Sequence, residues 1–251
     1  MPGQRLRVGF FDFTGCEGCQ LAFLSMEREL PSLLDHVEIV NFREATSRKE
    51  WDLDVAFIEG SLSTPSCVER INDIRRNTKV LVAFGSCAAT GGVNALRAGM
   101  DLEQVRREVY GEKRYLFPSL PVLPAHAAVQ VDAFIYGCPP EPRDMLRFLT
   151  QFLAGKVPRP PTYPVCLECK LRDNECLLVA GIPCLGVVTR AGCGAWCPSH
   201  GQFCYGCRGL SPDANLEALE ETLEQCHLSK QEIRNRVSLF SSLLTPRGEK
   251  E

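Results

Sequence analysis

Eight cysteines crowd the segment between Cys166 and Cys207: Cys166, Cys169, Cys176, Cys184, Cys193, Cys197, Cys204 and Cys207. Glycine and proline punctuate the stretch, and it offers little regular periodicity. A segment this short cannot bury enough apolar surface to fold on its own, so cross-links must organise it. The whole chain of 251 residues carries 14 cysteines. In an oxidising compartment such thiols pair as disulfides; in a reducing one they ligate metals. The N-terminal "MPGQRLRVGFFDF" runs directly into a strand pattern, with no apolar leader ending in a small-residue cleavage site and no twin-arginine signal. The expectation is therefore a cytoplasmic protein whose cysteines bind metal. Eight ligands make two four-ligand sites, and both zinc and iron–sulfur clusters satisfy that count.

The first part of the chain has a different pattern. "LRVGFFDF" (6–13), "VEIVNF" (37–42), "DVAFIEGS" (54–61), "KVLVAFGS" (79–86) and "DAFIYGC" (132–138) are near-continuous apolar, β-rich runs. Strands covered on both faces of a parallel sheet have this composition. Helical patterns lie between them: "CQLAFLSMEREL", with Pro31 as its stop, "PSCVERINDIRRN", "DLEQVRREVY" and "PRDMLRFLTQFLAG". Strands alternating with helices predict an α/β, doubly wound parallel sheet. With 45% hydrophobic residues, the chain can fill such a core.

Working groups in an open α/β sheet gather beyond the carboxyl ends of the strands. Cys16 and Cys19 follow the first run, Cys87 the fourth and Cys138 the fifth. Four convergent thiolates suit a tetrahedral zinc or an iron–sulfur cluster; the plain alternative is four scattered core cysteines. Glu59 ends the third run and Glu17 sits inside the first cysteine pair. Each is read either as a contact to another chain or a proton path, or as a cap on nearby amides. Cys67 and Cys226 match no such position and read as ordinary thiols. His126 and His200 lack ligand partners at suggestive spacing and read as structural or exposed. Arg143 is placed either near the site at Cys138 or in a surface ion pair.

The proline-rich "GKVPRPPTYP" (155–164) marks a composition break. Beyond the cysteine segment come two amphipathic patterns. One starts near Ser211 with Leu216, Leu219 and Leu223. The other opens on "SKQE" (229–232) as a capping box and continues through Ile233, Val237, Phe240 and Leu244. Both are expected to pack on the cysteine segment, with docking to a partner subunit as the alternative. The net charge of −3 shows no basic excess for nucleic acid, and no apolar stretch approaches the roughly 20 residues of a membrane helix.

Taken in order, "TGCEGCQL", "FGSCAATGG", "YGCPPEPRD", "CLECKLRDNECLL", "PCLGVVTRAGC" and "CYGCRG" closely resemble the small subunit of cytoplasmic nickel–iron hydrogenases. The likeness is strongest to the delta subunits of the bidirectional, NAD(P)-linked group also called sulfhydrogenases, and it spans nearly the whole chain. It implies a flavodoxin-like domain over residues 1–157 and a small, irregular iron–sulfur domain with helical tail over 158–251. Cys16, Cys19, Cys87 and Cys138 match the ligands of a proximal 4Fe–4S cluster. Cys193, Cys197, Cys204 and Cys207 match a medial cluster, and Cys166, Cys169, Cys176 and Cys184 a distal one. Two positions depart from uptake enzymes: Cys166 stands where many have histidine, and Cys197 where proline commonly leaves a three-iron cluster.

The resemblance places the nickel–iron centre on a partner large subunit. It places flavin and NAD(P) on the flavin and iron–sulfur subunits of a partner diaphorase. The chain would then relay electrons between them and carry no catalytic residue of its own. A relay serving a deazaflavin-reducing or heterodisulfide-reductase-linked hydrogenase is the neighbouring reading. A zinc-stabilised scaffold without redox chemistry is the competing one.

Overall fold

Every apolar run of the first half becomes a strand, and the helical patterns cover the two faces of the resulting sheet. The computed structural model describes residues 5–244. Five strands, β1 (Leu6–Asp12), β2 (Val37–Phe42), β3 (Leu53–Glu59), β4 (Thr78–Phe84) and β5 (Ala133–Ile135), form one sheet in the order β2-β1-β3-β4-β5. Every neighbouring pair is parallel. Strand order reverses between β1 and β3, so the crevice beyond their carboxyl ends is where this topology places a site.

The helices are α1 (Gly18–Leu24), α2 (Leu30–Leu34), α3 (Pro65–Arg76), α4 (Ser86–Thr90), α5 (Leu102–Tyr110), α6 (Pro142–Leu153), α7 (Val165–Leu171), α8 (Trp196–Ser199), α9 (Leu216–Gln225) and α10 (Lys230–Ser241). Successive strand residues face opposite sides, so Phe10 and Phe11 enter different cores. Phe10 stacks on Phe42 at 4.4 Å and on Phe57 at 5.0 Å, and Phe57 meets Phe148 of α6 edge-on at 5.6 Å. On the other face Phe11, Ile58 and Leu81 pack with Ile71 and Ile74 of α3 and Ala88 and Ala89 of α4. Burial on both sides is why these strands read as continuous apolar runs rather than alternating ones.

Three expectations need correction. "CQLAFLSMEREL" is not one helix stopped by Pro31. α1 ends at Leu24, where Ser25 Oγ donates to the Ala22 carbonyl (2.8 Å), and Pro31 sits in the first turn of α2. Proline has no N–H to lose there and its φ suits a helix start. The fifth strand stops at Ile135, because the chain turns at Gly137 (φ 140°) and the prolines that follow cannot extend a ladder. The tail helix expected from Ser211 starts at Leu216, capped by Asn215 Oδ1 on the Ala218 amide (2.9 Å).

The capping box at Ser229 and Glu232 is present on α10. Leu219, Leu223 and Ile233 pack against Leu185 and Val188 of the cysteine segment. Leu244, expected on that face, is exposed. Thr90 Oγ1 also donates to the Phe240 carbonyl (3.1 Å), so the tail touches the end of α4 as well.

Phe10 sits at the centre of this aromatic core. Phe10→Ala is expected to lower the unfolding free energy by about 3–5 kcal/mol. Urea unfolding followed by circular dichroism measures this, with the exposed Phe117→Ala as a control expected within about 0.5 kcal/mol of the parent.

Candidate metal centres

β1, β3, β4 and β5 end at one edge, and the loops that leave them carry the first group of thiols. Cys16 and Cys19 flank the start of α1, Cys87 lies in α4 and Cys138 follows β5. Asn94 Nδ2 donates to the Thr14 carbonyl (2.7 Å) and to Ser61 Oγ (3.0 Å), tying the loop before Cys16 to the segment after Cys87. Gly85 (φ 89°) lets the chain pass Cys19, since a Cβ there would clash with the Cys19 sulfur. A Cβ on Gly92 (φ 53°) would lie 2.8 Å from the Cys87 sulfur.

The four thiols feel one another. Burial pushes Cys87 up to about 11, helped by Cys138, Cys16 and Glu59, while an amide hydrogen bond from Val93 opposes the shift. Burial, then Glu59, Cys87 and Cys138, drives the Cys19 thiol far above its ordinary range. Cys138 moves upward through burial, Cys16 and Glu59. Cys16 and Cys138 are exposed, so this site opens at the surface.

Glu59 is 3% exposed and answers the question its position posed. Its Oε1 accepts from the Cys19 amide (3.1 Å) and its Oε2 from the Gln20 amide (3.2 Å). It caps α1 from a neighbouring strand end, satisfying two amides that the helix start leaves over. Glu17 stands at the N-cap position with φ 62° and makes no side-chain cap.

The cysteine segment builds two more groups. The Cys166 thiol is pushed up to about 11 by burial and then by Cys184, Cys169 and Cys176, so these four gather. A Cβ on Gly186 would sit 3.5 Å from the Cys166 sulfur and 3.6 Å from that of Cys184. Cys197 rises through burial, Cys193 and Cys184; Cys207 rises to about 11 through burial, with Cys193 and Cys197 adding to it. Cys204 is buried and rises for that reason, against donors from the Gly206 amide and Thr189 hydroxyl.

Hydrogen bonds join the three groups in series. Ser86, beside Cys87, donates from its Oγ to the Cys207 carbonyl, and the Cys138 backbone opposes the upward shift of the Cys207 thiol. The Cys204 amide in turn donates to the Cys184 sulfur (3.3 Å). The group of Cys193, Cys197, Cys204 and Cys207 thus stands between the other two.

Residues 16–152 match the family described as NADH ubiquinone oxidoreductase, 20 Kd subunit. Over 238 residues the chain is 38% identical to the sulfhydrogenase 2 subunit delta of Pyrococcus furiosus, covering 94% of this chain and 99% of that one. It is 30% identical to a subunit of the F420-non-reducing hydrogenase vhu of Methanococcus voltae, with 96% of both chains covered. The chain belongs to this family, among its hydrogenase small subunits. A crystal structure of NAD+-reducing [NiFe]-hydrogenase in the H2-reduced state contains a chain with 29% identity and a TM-score of 0.56, covering 61% of this chain and 93% of that one. A NiFe-hydrogenase from Ralstonia eutropha H16 shares the fold across 98% of this chain at a TM-score of 0.58 and 16% identity.

Membership of this family implies iron–sulfur clusters, and the residues present fit them. Thiols gather in fours, and glycine gives the backbone room beside the sulfurs of Cys19 and Cys87 and beside those of Cys166 and Cys184. Gln20, next to Cys19, is 1% exposed, and neither its side-chain oxygen nor its nitrogen finds a partner among the described residues. Among the described residues, no three Cys, His, Asp or Glu side chains converge tightly enough to hold one ion.

Cys67 receives the Thr64 hydroxyl (3.1 Å) in the first turn of α3, and Cys226 caps α9; neither joins a thiol group in this small subunit. His200 is exposed with Nδ1 on the Trp196 carbonyl (2.8 Å), His126 packs against Phe134, and Arg143 is exposed with no ion pair among the described residues. Sequence reasoning missed Arg208 and Glu168. Arg208 is 3% exposed and donates to the Ala191 carbonyl (2.8 Å), the Tyr136 carbonyl (2.7 Å) and Asp144 Oδ2 (2.7 Å). Glu168, between Cys166 and Cys169, accepts from the Gly192 (2.9 Å) and Ala195 (3.3 Å) amides beside Cys193. Their only signal was adjacency to the cysteine motifs.

Glu59→Ala leaves two amides without an acceptor and is expected to lower stability by about 1–3 kcal/mol in urea unfolding. Glu17→Ala is expected to stay within about 0.5 kcal/mol. The Cys87 shift has a sign that iodoacetamide labelling can read once iron is stripped anaerobically. Burial and negative neighbours favour the neutral thiol, so labelling stays slow through the ordinary 9.0 and rises as pH nears 11. Labelling of Cys87 at pH 8 as fast as free cysteine would contradict the geometry.

Proposed function

We propose that this small subunit is the electron relay of a cytoplasmic nickel–iron hydrogenase and carries three 4Fe–4S clusters. Cys16, Cys19, Cys87 and Cys138 hold the proximal one, within a flavodoxin-like unit of residues 1–157. Residues 158–251 form the unit of the other two, with Cys193, Cys197, Cys204 and Cys207 at the medial cluster and Cys166, Cys169, Cys176 and Cys184 at the distal one. The nickel–iron centre lies on a partner large subunit. The electrons pass to the flavin and iron–sulfur subunits of a diaphorase that reduces NAD(P).

The observation that carries this reading is the serial order of the thiol groups. Ser86, beside Cys87 of the first group, bonds the Cys207 carbonyl of the second, and the Cys204 amide of the second bonds the Cys184 sulfur of the third. Such clusters supply one-electron exchange when bound, with potentials set by burial and hydrogen bonds to sulfur. The chain's part is to hold the thiols, keep water away and aim its amides at them. Two surface features support a covering partner. The first thiol group is open at Cys16 and Cys138. α5 buries none of its residues, and Met100, Val109, Tyr115 and Leu116 around it are exposed. Among the described residues no helix is long and apolar enough to cross a membrane.

Iron and acid-labile sulfide analysis of the anaerobically purified complex tests the count: about twelve irons per chain are expected. Cys87→Ser is expected to reduce this to about eight and to abolish hydrogen-driven reduction of benzyl viologen. Zinc in place of iron, or a Cys87→Ser complex with unchanged turnover, would defeat the proposal. The chains that copurify decide between a diaphorase and a deazaflavin- or heterodisulfide-linked acceptor.

A further inference from the structure

We infer that Asn174 sets the reduction potential of the cluster at Cys166, Cys169, Cys176 and Cys184 by donating a hydrogen bond from its side-chain amide to the Cys169 sulfur. The inference rests on Cys169 being a cluster ligand, as proposed above.

The backbone puts Asn174 there. α7 ends at Leu171, Arg172 caps it, and Asp173 adopts the left-handed conformation (φ 55°). The Asp173 amide then donates to the Lys170 carbonyl (3.0 Å) and the Asn174 amide to the Cys169 carbonyl (3.2 Å). This pair of bonds is a Schellman motif, which turns the chain back over the last helical turn. Aspartate tolerates the left-handed position better than most residues. Asn174 is thereby locked to Cys169 through its main chain before its side chain is considered.

The side chain makes two contacts, both from Nδ2. One reaches the Cys169 sulfur at 3.6 Å and the other reaches Ser199 Oγ at 3.0 Å, on α8 of the neighbouring thiol group. A thiolate accepts and never donates, so it selects the NH2 side of the amide over the carbonyl oxygen. Both amide hydrogens are committed, which holds the donor in place.

Reduction adds one electron to the cluster, and part of that charge resides on sulfur. A fixed donor at sulfur stabilises the reduced form more than the oxidised form and raises the potential. No proton moves and no covalent bond changes. The contact to Ser199 places the same donor against the loop of the next cluster along the relay.

The test is an EPR-monitored redox titration of the intact anaerobic complex. The relevant signal is first assigned as the one lost or altered in Cys169→Ser. Asn174→Leu removes the donor and is expected to keep its iron. At the potential where the parent cluster is half reduced, the ratio of reduced to oxidised cluster is expected to fall five- to tenfold. Tenfold corresponds to 59 mV for a one-electron couple. Asn174→Asp keeps the shape, loses the donor and adds negative charge, so it is expected to shift the same signal further in the same direction. Ser199→Ala leaves the sulfur contact and is expected to change the ratio less than twofold. The signals of the other two clusters stay in place.

If Asn174→Leu or Asn174→Asp retains iron and the assigned midpoint is unmoved, the inference is overturned. It is overturned equally if all three midpoints move together. Should the parent complex lack any signal that responds to Cys169→Ser, the relay reading itself falls, which is a separate and recognisable failure.

Discussion

The burial of cysteine sulfur in clustered groups is the constraint on which the rest of this structure depends. Burial drives the thiols of Cys19 and Cys204 well above their ordinary range, and Cys87, Cys166 and Cys207 to about 11. Without a cation these groups stay protonated and their sites bring together neutral sulfur with little else. The apolar cluster around them shows how little. Val165, Cys184, Ala195 and Cys204 are its buried members, half of them cysteine. The sheet stands on its own aromatic core, whereas the cysteine segment relies on a smaller apolar cluster in which Leu185 and Val188 meet Leu219, Leu223 and Ile233 of the tail.

The two parts are joined by polar groups at the sites themselves. Arg208 follows Cys207 and reaches across to the Tyr136 carbonyl and to Asp144 on α6, two residues from Cys138 in one case and in the first turn of a helix in the other. A guanidinium this buried is held by three acceptors, so its desolvation is offset by directed bonds rather than by charge pairing alone. Gly192 makes room for it, since a Cβ there would clash with the guanidinium. Glu168 performs the matching task between the two groups of the cysteine segment. Geometry between the thiol groups is thus set by side chains that sit beside the cysteines, and Asn174 belongs with them.

Much of the fold was legible because its signals are local. Parallel strands buried on both faces need long apolar runs, and the five runs were visible at their places. Helix starts announced themselves at Pro65 and at Ser229, where the cap chemistry lies within three residues. The errors came where two local rules competed. Pro31 reads equally as a helix stop or a helix start, and the Ser25 hydroxyl decides between them. Ser211 is a good cap by type, but Asn215 is the residue whose side chain meets a free amide. At the candidate centres, the convergence of Cys16, Cys19, Cys87 and Cys138 was legible from their place at strand ends, whereas the division of the eight later cysteines into two sets came from the family resemblance.

What the sequence determined by itself was the inventory: which strands and helices exist, and which cysteines stand at loop positions. These follow from period, punctuation and count, all of which act within a few residues. The tertiary structure alone decided what those thiols experience and in what order they stand. Glu59 is a cap because a strand end forty residues away delivers its carboxylate to α1. The group that includes Cys204 and Cys207 touches both others because the Ser86 hydroxyl finds the Cys207 carbonyl and the Cys204 amide finds the Cys184 sulfur. Contacts between segments distant in the chain leave no periodic trace in it, so only the folded molecule could disclose them.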